Sequence, residues 1–213
     1  ELEKYEGRGV YYWASPIEAG LCRKEEVVLV GGGNAAGQAI VFLAGHAAHV
    51  HHLIRGPELA KSMSKYLIDR IGSLANVTLY TESEIVAIEG REEGVSAVHW
   101  RHRQNGSMQT KSTRRIFLFV GADPNTGWLE NCGVKLNDKG FVCTGLDLSP
   151  DHAQSAHSKN GRQPQQLETS IPGVFAIGDA RASSTKRVAA AVGEGAAVVD
   201  QLHTLLAFST RSG

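Results

Sequence analysis

Gly31, Gly32 and Gly33 close an apolar run at residues 27–30, and Asn34, Ala35 and Ala36 open a stretch with helical apolar spacing at Ala36, Ala39, Ile40 and Leu43. Gly31-x-Gly33-x-x-Ala36 between a strand and a helix is a phosphate-holding pattern. The first glycine permits the tight turn, the second lets a pyrophosphate approach the backbone, and a small third residue keeps helix and strand close. The free N–H groups and positive end of the helix favour the anion.

A second chemical feature is Arg55, 22 residues beyond Gly33, where dinucleotide sites usually carry an acidic side chain for ribose hydroxyls. A cation at this place suits a 2′-phosphate. A charged pair there contributes roughly 1.5–3 kcal/mol, enough for a preference for NADPH over NADH of about 10- to 100-fold. A solvated arginine at a strand end is the alternative, and Lys61 and Lys65 nearby are either helpers or surface charges. Further on, Gly178 and Asp179 follow a short apolar run and precede Lys186, Arg187 and an alanine-rich stretch. That arrangement sets a carboxylate beside another helix N-terminus, suited to ribose or ribitol hydroxyls and a phosphate.

Other candidates carry less. His46, His49, His51 and His52 cluster in sequence, but strand alternation sends His51 and His52 to opposite faces and no cysteine or carboxylate completes a site, so no metal is expected. Cys132 and Cys143 are read as buried free thiols rather than a pair.

These residues need elements to position them. A strand is expected at 26–31, a helix at 34–45, a strand over "HVHHLI", a helix from Leu59 to Ile71 and a strand over "NVTLY", a βαβαβ succession. "SEIVAIE", "VSAVHWRH" and the approach to "RRIFLFVG" are three strand candidates parted by "GREEG" and "QNG", which predicts an antiparallel meander before a strand at 116–120. Residues 145–170 read as a long polar loop, "GVFAIGD" as a strand, and Lys186 to Leu206 as a helix. The fold class is therefore α/β, a Rossmann-like three-layer nucleotide-binding domain with a parallel sheet and an antiparallel meander.

Composition closes off other classes. Lys plus Arg and Asp plus Glu each number 22, so no net field draws nucleic acid or an anionic membrane. No apolar run approaches the roughly 18 residues of a membrane span, and no secretory pattern opens the chain. Three widely spaced cysteines fit a reducing cytoplasm. A chain that starts at Glu1 is read as a fragment.

Taken in order, "GRGV", "GGGNAAGQA", "YLIDRI", "GADPNTGWL", "TSIPGVFAIGDAR" and "KRVAAAVGEG" resemble the thioredoxin reductase family of two-dinucleotide flavoproteins, over residues 7–203. The resemblance implies an NADPH-binding domain with an N-terminal linker at 1–120 and the C-terminal part of an FAD-binding domain at 121–213. It implies that Gly31, Gly33, Asn34, Ala35, Ala36 and Arg55 contact NADPH. Asp179, after Gly178, would hold flavin ribitol, with Arg187 and Val188 near the isoalloxazine. Homodimers and thioredoxin-like or ferredoxin-like electron acceptors also follow by analogy.

Two departures qualify the likeness. Only one Gly-x-Gly-x-x-Ala motif occurs, so the flavin domain's own N-terminal half is expected to be missing. The family's Cys-x-x-Cys falls where this chain reads Trp13-Ala14-Ser15-Pro16, and Cys22 has no nearby partner for disulfide chemistry. No side chain is assigned as acid, base or nucleophile. The expected activity is NADPH-dependent flavin oxidoreduction, with a ferredoxin, quinone or oxygen acceptor as one rival and a nucleotide-binding regulatory module as the other.

Overall fold

The computed structural model describes residues 2–149 and 162–209, which form two compact units, Glu1–Gly121 and Ala122–Gly213. In the first unit, strands β1 (Val10–Tyr11), β2 (Glu26–Val30), β3 (His49–Leu53), β4 (Val77–Tyr80) and β8 (Ile116–Leu118) make a parallel sheet in the order β1-β8-β2-β3-β4. A separate antiparallel sheet holds β5 (Ser83–Arg91), β6 (Gly94–His102) and β7 (Met108–Ser112). Its two turns fall at the "GREEG" and "QNG" signals.

Strand alternation explains the layering. Val27 and Leu29 of β2 join Ala36, Ala39, Ile40 and Leu43 of helix α2 (Asn34–Ala44) in one core. Val28 and Val30 point the other way and join Val95, Val98 and Trp100 of the meander in a second. A strand buried on both faces must be apolar throughout, which is why β2 reads as an unbroken run. The result is three layers, with helices on one side of the parallel sheet and the meander on the other.

A polar chain crosses the meander side. His51, 3% exposed, donates from Nε2 to the Glu26 carboxylate at 2.8 Å, and its Nδ1 lies 3.1 Å from the Tyr80 hydroxyl. Lys111 of β7 bonds the same Glu26 oxygen at 3.0 Å. The His51 and Lys111 hydrogen bonds hold the Glu26 carboxyl down at about 2, while burial pushes the His51 imidazole below its ordinary value.

Two helices of the first unit differ from expectation. Helix α1 (Pro16–Leu21) is not among the expected elements, although Ser15 and Glu18 form a capping box around Pro16 in the first turn. Helix α3 spans Lys65–Gly72 instead of starting at Leu59. Residues 59–63 make only one turn, because Ser62 and Ser64 are bonded across to the glycine turn and Ser64 has extended backbone.

The second unit is built from short turns around Glu168 and one long helix, α4 (Val188–Ser209). Glu168 is fully buried and accepts from Arg162 at 2.6 and 2.5 Å and from the amides of Gln165 and Gly173 at 3.0 and 2.7 Å. Burial alone would raise this carboxyl; the guanidinium and amides outweigh it and leave it lowered. The strand expected over "GVFAIGD" does not form. Residues 174–176 share only a bridge at Phe175 with Glu168, and Gly178–Ala180 is a 3-10 turn, since a strand needs a neighbouring ladder and a single bridge is all that residues 167–169 offer. Of the expected loop at 145–170, Gly145–Asp147 is a 3-10 turn, and 150–161 lie outside the described residues. Cys143 is buried, but Cys132 is exposed, its sulfur set against the Trp128 carbonyl at 3.8 Å rather than in a core.

Candidate nucleotide-binding site

The strand order reverses between β2 and β8, and the crevice beyond the carboxyl ends of such strands is where open α/β sheets take ligands. The glycine turn lies there. Gly31 has φ +145, and a Cβ on it would stand 2.5 Å from the Phe119 carbonyl oxygen, so only glycine fits. Its N–H donates to the Leu53 carbonyl at 3.0 Å and its own carbonyl accepts from His52 Nε2 at 2.7 Å. Ser62 Oγ donates to the Gly32 carbonyl at 2.8 Å, and the Ser64 amide donates to Asn34 Oδ1 at 2.8 Å. The turn is thus strapped to β3 on one side and to residues 62–64 on the other.

Gly33 is the N-cap of α2, with φ −90, no side-chain cap, and nothing within 4 Å of where a Cβ would stand. Asn34 and Ala35 are exposed while Ala36 is buried on the sheet. The first amides of α2 have no intrahelical partner and no side-chain cap, and the space beside Gly33 is open, a fit for a pyrophosphate. At Gly37 an added Cβ would meet Met63 Sδ at 2.9 Å and Leu67 at 3.1 Å, which shows how closely α2 lies on the residues leading into α3.

Arg55 lies two residues past β3 and is exposed; among the described residues no hydrogen bond or ion pair engages its guanidinium. It lines a cavity of about 530 Å³ together with Glu84, Val30, Ile85, Leu118 and Val120, at the same edge of the sheet as the glycine turn. Lys61 and Lys65 are exposed, and Lys65 pairs with Asp69 on its own helix at 3.3 Å. The histidines serve the fold: besides His51 and His52, His49 bonds Thr78 and His46 bonds the Phe42 carbonyl. The role of His52 was missed from sequence. It is fully buried, burial pushes its imidazole down, and it orients the first glycine, which nothing in a strand histidine announces.

In the second unit a Cβ added at Gly178, which has φ +71, would stand 3.5 Å from the Ala191 Cβ, and the Gly178 amide donates to Glu194 at 2.7 Å. Glu194 also pairs with Arg181 at 2.5 Å. These contacts hold the exposed Asp179 on the first turns of α4, which opens at Val188, itself 82% exposed. Asp179 has no hydrogen bond or ion pair among the described residues, and its carboxylate acts on the Lys186 ammonium through charge alone.

The cysteines bear on redox chemistry. Ser15 and Pro16 cap α1, and Cys22 is fully buried with its thiol donating to the Glu18 carbonyl at 3.1 Å. Burial pushes that thiol up to about 11. All three cysteines are free.

A parallel sheet with a glycine turn at its switch point, an uncapped helix N-terminus behind that turn and a meander on the far face define a nucleotide-binding domain of the Rossmann-like class. The match to known proteins narrows this: residues 11–195 fit the pyridine nucleotide-disulphide oxidoreductase family, and the chain belongs to that family of flavin-dependent oxidoreductases. It is 29% identical over 194 residues to a subunit of the alkyl hydroperoxide reductase of Escherichia coli strain K12, covering 91% of this chain and 33% of that protein. It is 30% identical to the thioredoxin reductase of Coxiella burnetii, covering 90% of this chain and 55% of that one. In three dimensions it resembles the thioredoxin reductase of Lactococcus lactis with a TM-score of 0.75 at 23% identity, over 96% of this chain and 60% of the other. The chain therefore spans a third to about half the length of these curated relatives.

Proposed function

We propose that the chain is the NADPH-binding domain and the C-terminal flavin-side segment of an NADPH-dependent flavin oxidoreductase. The observation that carries this reading is the turn from Gly31 to Ala36, with open amides at the start of α2 and the unpaired Arg55 guanidinium at the adjoining strand end. When bound, the two dinucleotides supply hydride transfer, and the protein supplies placement and electrostatics. The amides of Asn34 and Ala35 hold the pyrophosphate, His52 and Ser62 keep the glycine turn in register, and Arg55 takes the 2′-phosphate. In the second unit Asp179 receives ribitol hydroxyls, with Arg187 and Val188 beside the flavin ring. Calorimetric titration of NADPH and NADH into wild type and Arg55→Ala tests the reading. NADPH should bind about 10-fold or more tighter to wild type, with the preference falling towards unity in the variant. Equal binding of both nucleotides by wild type would refute the 2′-phosphate assignment.

A second reading concerns the acceptor. Thiol–disulfide exchange needs a thiolate and a resolving thiol. In the window where the family resemblance places a dithiol, Ser15 and Pro16 are committed to capping α1, and Cys22 is buried with a raised thiol. These facts favour an acceptor that is not reduced through a dithiol in this chain, such as a ferredoxin, a quinone or oxygen.

A further inference from the structure

The surroundings of Arg55 hold more charge than the strand-end motif accounts for. The backbone on either side of it is laid against the start of the meander: the Ser83 amide donates to Ile54 O at 2.8 Å and the Glu82 amide to Gly56 O at 3.0 Å. The Arg103 amide in turn donates to Glu82 O at 2.6 Å, which fixes the turn after β6 beside the same segment. Through that fold the Arg103 side chain reaches over Arg55, Nη1 donating to its carbonyl at 3.5 Å, while Nε lies 3.5 Å from Glu84 Oε2. The other Glu84 oxygen is held by Arg101 Nη2 at 2.7 Å. Arg101 foremost, with Arg103 and Arg55 adding, holds the Glu84 carboxyl below its ordinary value.

Arg101 and Arg103 thus flank the carboxylate of Glu84, and Arg55 lines the same cavity as that carboxylate. The next anion, Glu82, is bonded by Gln104 and faces His102 at 3.8 Å, so the cluster keeps an excess of positive charge even with both carboxylates included. Glu84 is well occupied by Arg101, whereas both contacts of the Arg103 guanidinium are long, and an N–H donor at 3.5 Å is weakly spent. An arginine fixed at its backbone, half exposed and loosely engaged beside Arg55 is placed to turn to a dianion.

We propose that Arg103 and Glu84 set the strength of cofactor selection at this edge: Arg103 is a second cation for a 2′-phosphate, delivered by the meander, and Glu84 is a like charge that weakens the same interaction. This inference rests on the reading of Arg55 as the 2′-phosphate residue. Because Arg103 and Glu84 carry opposite charges, their removal must act in opposite directions on a phosphate ligand, which a shared structural role would not produce.

The test uses adenosine 2′,5′-bisphosphate and adenosine 5′-monophosphate as probes, titrated calorimetrically into the full chain as wild type, Arg103→Gln and Glu84→Gln. Thermal unfolding of each variant confirms that it is folded. Arg103→Gln should weaken the bisphosphate by roughly 3- to 10-fold and leave the monophosphate unchanged, a range below that of buried charged pairs because the site is exposed. Glu84→Gln should strengthen the bisphosphate by about 2- to 5-fold, and both effects should shrink as salt is raised, because exposed charges are screened. Weakening by Glu84→Gln would overturn the proposal, since Glu84 would then act only by orienting Arg101 and Arg103. So would a bisphosphate affinity indifferent to Arg103→Gln in a wild type that still discriminates the probes. Wild type that binds neither probe, or both equally, instead removes the underlying Arg55 reading and this inference with it.

Discussion

Gly31 and Gly33 belong to one motif, yet the structure assigns them different duties, and substituting each with alanine separates fold from ligand. Gly31→Ala forces a side chain onto a residue at φ +145, with its Cβ 2.5 Å from the Phe119 carbonyl oxygen and 2.9 Å from the carbonyl carbon. Backbone strain of this kind costs about 1–3 kcal/mol. The clash is with main chain rather than with a flexible tip, and overpacking adds about 1–3 kcal/mol. Together, at about 2–6 kcal/mol, they are a large part of the roughly 5–15 kcal/mol that holds a typical domain together. Gly33→Ala meets nothing within 4 Å at φ −90, so its cost is that of a poorer N-cap, at most about 1 kcal/mol. On the proposed binding mode its methyl group stands where the pyrophosphate would approach the α2 amides, and NADPH affinity should fall by roughly 10-fold or more. Urea unfolding followed by the fluorescence of buried Trp100 gives the stabilities, and calorimetry gives the affinities. A Gly31→Ala protein as stable as wild type would refute the packing argument. A Gly33→Ala protein that binds NADPH like wild type would refute the placement of the phosphate.

Three further outcomes follow from the thiols and the titrating groups. Alkylation by iodoacetamide at mildly alkaline pH, read by mass spectrometry, should modify exposed Cys132 first and leave Cys22 unmodified until the chain is unfolded; rapid native labelling of Cys22 would remove the case against a thiol relay. Stability should fall as pH drops below about 6.5, because burial lowers the His51 and His52 values and the unfolded chain takes up those protons first. It should fall again below about 4.5 as the lowered carboxyls, Glu26 and buried Glu168 among them, are protonated, a second loss that Glu26→Gln should reduce. Urea midpoints that stay constant from neutral pH down through both of these ranges would contradict both assignments.

The parallel sheet, the meander and the glycine turn were legible because each rests on a local rule: the apolar run of β2, the turn signals at "GREEG" and "QNG", and the glycine spacing before α2. What escaped depends on partners distant in sequence. His52 lies 21 residues from the Gly31 carbonyl it bonds, and Ser62 and Ser64 each lie 30 residues from their partners in the turn. The truncated α3 has the same cause, since helical periodicity over 59–71 is real but the straps to the glycine turn prevail over it. Arg103 comes near Arg55 from 48 residues away through the pairing of β5 with β6, a relation no spacing rule encodes. The capping box at Ser15 and Glu18 is a different case: its signal is local and present, but it shares its window with the missing dithiol, which is the feature that stands out there.

Whether the turn from Gly31 to Ala36 holds a dinucleotide pyrophosphate is decided by titrating NADPH into the nitrogen-15-labelled chain and following backbone amide resonances. With the proposed binding mode, the amides of Gly33, Asn34, Ala35 and Ala36 should shift most, the Arg55 segment should shift with them, and NADH should move the glycine turn with little change at Arg55. Saturating shifts elsewhere in the chain, with the α2 amides unmoved, would contradict it.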